Sequence, residues 1–423
     1  MMRLFLSAIL LLLLVQFSSS SIQAQGQVQP FVLNPKFQVQ RIFAGHFEPS
    51  GMAFLGPDDI LVLDRDEGKV FRVTHGIQSG PLLDVNVATN GYRGLLGVAD
   101  SVSKNNTYVF LYFTQSASQD SSDKFQHPVN PLGNRLYRYE LVNNKLINPK
   151  LLLDLPVLPG PKDNGGVIKI GPDKNIYLII GDLQGSFRNK QYETMTQNYQ
   201  NSTKVDGRAG ILRITQDGKP VGIGILGQSL PLNLYYAYGI RNSFGMDWDP
   251  TSGYLWDSEN GPSFGDEINL VKPGFNSGWA IVQGFWKPLN QSIGPVDLHP
   301  DNLVNFGGHG NYNAPKFVWL NQVAPSAVKF INSTHYGSEF KADLLVGDAN
   351  YGNIYEFKLD KSRQNLVLAG NLTDRIANNS NELNNAIFAG GFGKVTDIEI
   401  GPDGLLYILS GQKQVTSIYR IIA

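Results

Sequence analysis

The 423-residue sequence contains no cysteine. Disulfide bridges and a lipid anchor attached to cysteine are therefore excluded, and the fold must be stabilised by its core. The chain also lacks an excess of positive or negative charge. Charged residues make up 17% of it, and the formal net charge is −1. Such a chain has no basic field for nucleic acid or for an anionic membrane, so neither is an expected partner.

Long hydrophobic runs are scarce, and the one at the N-terminus is short. Leu4 to Val15 follow the positive residue Arg3, and this run is shorter than the about 20 apolar residues that span a bilayer. Together with the small-residue site around Ile22 to Ala24, the pattern is typical of an export signal. We therefore expect residues 1–24 to be a signal peptide, a mature chain without a membrane span, and a secreted or extracytoplasmic protein.

Glycine and aromatic residues are plentiful. The chain contains 45 glycines, and aromatic residues make up 11% of it. This composition suits many short strands joined by tight turns. Sustained helical periodicity is absent after residue 37, and units of a turn followed by a short apolar run recur instead. The clearest copies begin at Gly56, Gly171, Asp249, Ala342 and Gly401, with a degenerate copy from Asn106 to Leu141.

Six units with centres roughly 50 to 60 residues apart are typical of propeller blades that carry loop insertions. We predict an all-β fold, a six-bladed β-propeller with four-stranded antiparallel blades and long loops on one face. Phe37 to Phe43 alternates like a strand and is expected to complete the last blade. A two-domain β-sandwich is the alternative, although it leaves the recurring turns unexplained. The polar insertions are residues 116–131, 188–208 and 288–315.

The predicted domain organisation has two parts after the signal. Residues 25–36 form a polar lead-in, and residues 37–423 form the propeller. Loops on one face of a propeller channel usually carry the function, so the insertions are the expected surroundings of a site. His309, in the last insertion, stands alone in a glycine-rich loop, and we expect it to face solvent.

One stretch collects the residue types of a ligand site. Arg241 and Asn242 place a cation and an amide in a turn between apolar segments. Glu259 to Pro262 form a second turn, whose glycine and proline can direct backbone carbonyls at a ligand. Asp266 and Glu267 add carboxylates, and hard oxygen donors are what Ca²⁺ prefers. A strand pair with polar turns and a solvated acidic pair is the alternative interpretation.

Ordered motifs of this kind cover nearly the whole mature chain. They are PSGMAF from Pro49, RGLLGVA from Arg93, NGG from Asn164, GPD from Gly171, GIRN from Gly239, ENGP from Glu259, DEIN from Asp266, GW from Gly278 and APS from Ala324. In these motifs the chain resembles the soluble glucose/sorbosone dehydrogenase family. Its members are six-bladed β-propellers and include aldose dehydrogenases that depend on pyrroloquinoline quinone (PQQ).

The resemblance implies two cofactors, PQQ and Ca²⁺. PQQ is an ortho-quinone with three carboxylates, so its site needs cations and a base that takes the substrate hydroxyl proton. By the family pattern, Arg241 and Asn242 contact PQQ. Lys394 is the cation retained in the last blade and is expected to contact it too.

The same resemblance implies two places for Ca²⁺. The backbone carbonyls of Gly261 and Pro262 hold the ion at the cofactor. Asp266 and Glu267, with the region of Ser277, form a second, structural ion site.

Four positions depart from the family pattern. Asp163 stands where the family has a histidine base, and Tyr92 stands where its enzymes have Gln or Glu. Asn350 replaces an expected lysine, and Thr396 replaces an arginine. A tricarboxylate that loses two charge-assisted partners, each worth about 1.5–3 kcal/mol, is expected to bind far more weakly.

Asp163 has two interpretations. It is the substitute base, although a nearby Ca²⁺ would lower its pKa, or it belongs to an ordinary surface turn. Three cations in the second insertion are candidates to replace the missing ones, namely Arg188, Lys204 and Arg208.

The function predicted from these residues is that of an exported quinoprotein-type oxidoreductase. It would oxidise the hydroxyl of an aldose sugar or related alcohol with PQQ and Ca²⁺, with Asp163 as the base. The alternative is a non-catalytic extracellular propeller, braced by Ca²⁺, that binds a glycan or a protein. Several cations converging on the channel mouth would favour the enzyme. A lactonase-like hydrolase with a central Ca²⁺ fits the motifs less well.

Overall fold

A computed structural model describes residues 29–103, 106–117, 131–184, 190–285, 302–412 and 414–423. The expected signal peptide lies outside these ranges, as do parts of all three insertions. Within them, no helix has both the length and the apolar character needed to cross a membrane.

The described residues form 29 strands. In chain order these are β1 (Phe31–Val32), β2 (Gln38–Gly45), β3 (Pro49–Gly56), β4 (Asp59–Asp64), β5 (Lys69–Thr74), β6 (Ile77–Asp84), β7 (Leu95–Val102), β8 (Thr107–Gln115), β9 (Gly133–Val142), β10 (Lys145–Leu155), β11 (Ile168–Ile170), β12 (Ile176–Ile180), β13 (Gly210–Ile214), β14 (Tyr235–Tyr238), β15 (Ser243–Trp248), β16 (Leu255–Glu259), β17 (Asp266–Val271), β18 (Phe275–Asn276), β19 (Asn311–Tyr312), β20 (Phe317–Trp319), β21 (Pro325–Phe330), β22 (Leu344–Asp348), β23 (Ile354–Leu359), β24 (Leu366–Val367), β25 (Ile376–Ala377), β26 (Ile387–Gly390), β27 (Lys394–Ile400), β28 (Leu406–Gln412) and β29 (Val415–Ile422). Short 3₁₀ turns lie at Lys190–Tyr192, Met195–Gln197, Leu232–Leu234, Phe306–Gly308, Ser338–Phe340, Gly370–Asp374 and Ser380–Ala386.

The strands form six sheets, and each contains a run of four antiparallel strands. These runs are β3-β4-β5-β6, β7-β8-β9-β10, β11-β12-β13-β14, β15-β16-β17-β20, β21-β22-β23-β26 and β27-β28-β29-β2. Three sheets carry further strands at their edges: β18 and β19 beyond β14, β25 beyond β20, and β1 beyond β26, with β24 on β23. The all-β propeller with four-stranded antiparallel blades is therefore confirmed.

The recurring turns lie directly before the second strand of a sheet. In the turn before β12, Asp173 Oδ1 accepts the Asn175 backbone N–H at 3.1 Å. Asp403 does the same for Leu405, also at 3.1 Å, before β28. A short aspartate that bonds its own backbone two residues ahead stabilises a tight turn, and β12 can then run through the core with every residue buried.

Pairing of β2 with β29 joins the two ends of the ring. The strands are antiparallel, with Gln38 opposite Ile422 and Gly45 opposite Thr416, so the expected role of Phe37 to Phe43 is confirmed. The lead-in contributes structure as well, because its strand β1 pairs with β26.

Large side chains fill the space between neighbouring sheets. One cluster contains Trp256 and Ile268 from one sheet together with Phe330, Val346 and Tyr355 from the next. Each sheet therefore depends on its neighbour for burial of its apolar face.

The first strands of the sheets surround the centre of the ring. These are β3, β7, β11, β15, β21 and β27, and β3 contacts both β7 and β27. Residues from all of these strands line one cavity of about 570 Å³. The cavity is thus the channel of the propeller.

Ring closure can be tested at Phe43, which is 6% exposed and packs against Phe47. We expect Phe43→Ala to lower the free energy of unfolding by about 3–5 kcal/mol, because it leaves a cavity at the closing pair. Ile77, which is 73% exposed, provides the control, and Ile77→Ala should change stability by less than about 0.5 kcal/mol. Denaturant unfolding measures both, and equal effects would contradict the role of the closing strand.

Candidate active site

Arg241 is the centre of the contacts at one wall of the cavity. Its backbone N–H donates to Glu259 Oε1 at 2.5 Å. Its guanidinium donates to the carbonyls of Asn260 and Gly261 at 3.0 and 3.2 Å, and to Asp163 Oδ2 at 3.1 Å. Three separate chain segments are joined in this way, since Asp163 precedes β11, Arg241 precedes β15, and the Glu259 turn follows β16.

Asp163 is only 3% exposed and lines the cavity. It is not a surface turn residue, so that interpretation was wrong. Burial raises its pKa to about 7, while the charge of Arg241 opposes the rise and the Asp182 carboxyl adds to it. A carboxyl with a pKa near neutrality can take or give a proton at neutral pH.

Asp182 helps to hold this arrangement in place. Its Oδ2 accepts the indole N–H of Trp279 at 2.7 Å, and its backbone N–H donates to the Arg241 carbonyl at 2.9 Å. Gly181 lies so close to Asp163 that an added Cβ would stand 2.2 Å from the Asp163 carbonyl oxygen. Gly181 and Asp182, which follow β12, therefore pack against Asp163 and Arg241 and help to fix their positions.

Asn242 is buried beside Arg241 and also lines the cavity. Its side-chain oxygen has no hydrogen-bond partner within the described residues. Most buried polar atoms are paired, so this carboxamide oxygen is an exception in the wall of the cavity.

The turn at Gly261 and Pro262 also borders the cavity. The Gly261 carbonyl accepts the Gln322 side-chain N–H at 2.6 Å in addition to Arg241. An oxygen that receives two N–H donors, one of them cationic, is poorly placed for a cation in this arrangement.

Asp266 braces the same turn. One carboxylate oxygen accepts the Gly261 N–H at 2.9 Å, and the other accepts the N–H groups of Val323 and Ala324 at 2.8 Å each. Backbone donors therefore occupy the carboxylate that the motif assigned to Ca²⁺. Glu267, the next residue, points to the opposite face of the strand.

A buried cluster of oxygen atoms lies on that opposite face. Strands β16 and β17 pair Asp257 with Asn269 and Glu259 with Glu267, and all four side chains are buried. Both carboxylate oxygens of Asp257 and the amide oxygen of Asn269 have no hydrogen-bond partner among the described residues. We define these four residues as the acidic face.

Burial dominates the electrostatics of the acidic face. It raises the pKa of Asp257 and of Glu267 well above the usual range, with the Glu259 carboxyl adding to the rise. It also raises the pKa of Glu259 to about 7, although hydrogen bonds from Ser277 and Arg241 oppose this. Uncompensated carboxylates of this kind are stabilised by a proton or by a cation.

Two further polar residues contact the acidic face. Ser277 Oγ donates to Glu259 Oε2 at 2.6 Å, and Gln283 Nε2 donates to Glu267 Oε1 at 2.9 Å. Carboxylate and amide oxygens are a donor set that suits Ca²⁺. However, no set of three or more acidic, histidine or cysteine side chains in the described part of the chain stands in metal-binding geometry.

Cations exceed carboxyls around the cavity. Among the described lining residues the cationic side chains are Arg65, Lys162, Lys169, Arg241 and Lys394, and the carboxylic ones are Asp163 and Asp397. Lys394 lies where the sequence predicted it, and its amine is 2.9 Å from Glu48 Oε1. Several of these cations contact carboxylates, since Lys169 pairs with Glu399 and Arg241 with Asp163.

The cations proposed as replacements lie elsewhere. Arg208 is buried and donates to Asp206 and to the Tyr192 carbonyl, and Lys204 is 3.6 Å from Asp206. Neither lines the cavity, so that prediction was wrong for both, and Arg188 falls outside the described residues. His309 is exposed, as expected.

The other three positions that depart from the family pattern line the cavity together with Asp163. These are Tyr92, Asn350 and Thr396.

Sequence reasoning missed Arg65 and Asp257. A period-2 count along β16 and β17 would have found Asp257, since it shares a face with Glu259 and lies opposite Asn269.

Comparison with known proteins shows the family of the chain. The family model described as glucose/sorbosone dehydrogenase matches residues 46–420. The chain belongs to the glucose/sorbosone dehydrogenase family. An uncharacterized protein of Synechocystis is 25% identical over 401 residues, which are 89% of this chain and 85% of that protein.

Two curated relatives have named activities. Quinoprotein glucose dehydrogenase B of Acinetobacter calcoaceticus is 34% identical over 252 residues, which are 54% of this chain and 50% of that protein. Aldose sugar dehydrogenase YliI of Escherichia coli is 27% identical over 259 residues, which are 61% and 60% of the two chains. The chain thus matches about half of the first and three-fifths of the second.

Solved structures of the family share the fold. The PQQ-bound aldose sugar dehydrogenase of Streptomyces coelicolor superposes with a TM-score of 0.62 at 22% identity, covering 93% of this chain and 99% of that one. The apo soluble aldose sugar dehydrogenase of Escherichia coli gives 0.67 at 19% identity, covering 91% and 99%.

Protonation of the acidic face can be tested through stability. Because the pKa of Asp257 is higher in the folded than in the unfolded chain, folding retains a proton there, and stability is lost as the pH rises from about 4 through the folded pKa. In EDTA, we expect Asp257→Asn to reduce the loss of unfolding free energy between pH 5 and pH 8 by at least about 1 kcal/mol.

Urea unfolding at the two pH values measures this difference. Asp84 is exposed, and Asp84→Asn serves as the control that should leave the pH dependence as in the wild type. An unchanged pH dependence in Asp257→Asn would show that Asp257 holds no proton in the folded protein.

Proposed function

We propose that this family member is a quinoprotein-type oxidoreductase that oxidises the hydroxyl of an aldose sugar or related alcohol with PQQ. The observation that carries the proposal is the buried Asp163–Arg241 pair, 3.1 Å apart, in the wall of a cavity rich in cations. The quinoprotein and aldose dehydrogenase relatives support the same chemistry.

The cavity fits PQQ in size and charge. Its volume of about 570 Å³ lies within the about 300–1,000 Å³ of small-molecule sites. Cationic side chains that include Arg65, Arg241 and Lys394 line it, and such side chains are suitable contacts for a ligand with three carboxylates. Arg241, Asn242 and Lys394 are the residues that would hold it.

Bound PQQ would supply the acceptor for the hydride that leaves the substrate carbon. Asp163 would take the proton of the substrate hydroxyl. Its pKa of about 7, raised by burial, allows the carboxylate to be regenerated at neutral pH. Arg241 would fix the orientation of this carboxylate, and the indole of Trp279 would hold Asp182 beside it.

Ca²⁺ is part of the proposal, bound by Glu267 on the acidic face. Asp257 and Asn269 offer unpaired oxygens there, whereas both oxygens of Asp266 and the Gly261 carbonyl already accept N–H donors. The ion would stabilise β16 and β17 and with them the turn that contacts Arg241.

Export by a signal peptide at residues 1–24 completes the proposal and rests on the sequence pattern. An extracytoplasmic location suits a chain without cysteine that acts on sugars outside the cell. The competing function, a non-catalytic propeller that binds a glycan or a protein, does not require a cation-lined cavity with a buried base.

Titration of the purified mature chain with PQQ tests the proposal directly. In the presence of Ca²⁺, calorimetry should show one-to-one binding with a Kd of about 1 μM or tighter, which corresponds to about −8 kcal/mol. Arg241→Ala should weaken binding at least tenfold, because it removes a charge-assisted contact. A folded, Ca²⁺-loaded wild type that gives no heat would exclude the PQQ enzyme and favour the binding protein.

A second experiment separates the base from the binding site. Asp163→Asn should lower kcat for dye-coupled sugar oxidation by about 100-fold or more while PQQ binding stays within threefold of the wild type. Wild-type kcat should rise with pH through about 7, since Asp163 acts as the carboxylate and burial raises its pKa to about 7 against the charges of Arg241 and Lys162. An Asp163→Asn variant with full activity would show that another group takes the proton.

A further inference from the structure

The cavity contains a cation that the family motifs do not indicate. We propose that Arg65 binds a carboxylate of PQQ and replaces the cation that is lost at Thr396. The inference rests on the proposed function and adds to it one cofactor-contact residue.

The backbone holds Arg65 at the cavity wall. It follows β4, its N–H donates to the Glu48 carbonyl at 2.8 Å, and its own carbonyl accepts the Leu95 N–H at 2.9 Å. A Cβ on Gly94 would lie 2.6 Å from Arg65 Cγ. The glycine of the RGLLG motif therefore leaves the space through which the arginine side chain passes.

Arg65 and Lys394 form a cation pair with a shared carboxylate behind them. Glu48 Oε1 is 2.9 Å from Lys394 Nζ and 3.7 Å from Arg65 Nη1. Both cations line the cavity, whereas Glu48 does not. Since Lys394 and Thr396 lie in the same strand, the pair stands beside the position where the family pattern has its missing arginine.

The guanidinium of Arg65 uses only part of its hydrogen-bond donors within the described residues. Its Nε–H donates to Asp66 Oδ1 at 2.8 Å. The two terminal nitrogens donate no hydrogen bond within the described residues, and the contact with Glu48 at 3.7 Å is too long for one. Two terminal nitrogens in a fixed plane match the two oxygens of a carboxylate.

The partial neutralisation by Glu48 does not argue against this role. Glu48 and Asp66 offset part of the charge of the two cations, but only Arg65 and Lys394 of this group line the cavity, so a carboxylate that enters it meets the cations first. A neutral sugar would gain less from those cations than an anion does. The ligand class assigned to Arg65 is therefore the carboxylate of the cofactor rather than the sugar.

The test is PQQ affinity, measured by calorimetry on the intact chain in Ca²⁺. Arg65→Ala should weaken the Kd at least tenfold, and Arg65→Lys should recover part of the loss because it keeps a point charge without the planar fork. Arg135 provides the matched control, since its side chain is 19% exposed against 20% for Arg65, it is paired with Asp154, and it lies away from the cavity. Arg135→Ala should bind PQQ as the wild type does.

Removal of a negative charge, that of Glu48, gives an independent test of PQQ affinity. Glu48→Gln frees Arg65 and Lys394 from their shared carboxylate, and PQQ should then bind at least threefold more tightly. If Glu48 served only to order the two side chains, the same variant would bind PQQ more weakly. If Arg65→Ala fails to fold, Arg65→Lys decides the matter, because an affinity equal to that of the wild type would show that the planar guanidinium makes no contact with PQQ.

The outcomes separate this inference from the proposed function. Wild-type binding together with unchanged affinity in Arg65→Ala would overturn the role of Arg65 and leave the quinoprotein proposal standing. A folded wild type that binds no PQQ would overturn both. Weaker binding in Arg65→Ala with normal binding in Arg135→Ala would support the inference.

Discussion

Closure of the ring is the constraint on which the rest of the structure depends. The cavity is lined by the first strands of all the sheets, so no single sheet contains the site. The antiparallel pairing of β2 with β29 joins residues from the two ends of the chain and keeps those strands in a circle. The Arg65–Glu48–Lys394 contacts also join the two ends of the chain, because Glu48 precedes β3, Arg65 follows β4 and Lys394 begins β27.

Inside the ring, the important charges are buried and only partly paired. Burial and the nearby Asp182 carboxyl raise the pKa of Asp163 more than the charge of Arg241 lowers it, so Asp163 keeps a proton more readily than a free aspartate. The acidic face places several carboxyls together without an internal cation. Burial of such groups is costly unless they are neutralised, which links the stability of β16 and β17 to pH.

A good part of this molecule could be predicted from the chain alone. Turns such as Gly171 to Asn175 are local, because an aspartate bonds its own backbone, and the apolar run that follows is read directly from the sequence. Arg241, Asn242 and Lys394 were also placed at the cavity by their motifs. By contrast, Arg208 was expected near the cofactor and is instead buried against Asp206, since nothing local shows where a long loop directs its side chains.

The sequence by itself determined the all-β class, the antiparallel four-stranded sheets and the family, because these follow from short-range turn chemistry and from ordered motifs. Only the tertiary structure decided which charges meet. Arg65 and Lys394 are more than 300 residues apart in the chain and share one carboxylate, and Asp163 meets Arg241 across a separation of 78 residues. Such pairings depend on how distant strands are arranged around the ring, and that arrangement cannot be predicted from local sequence.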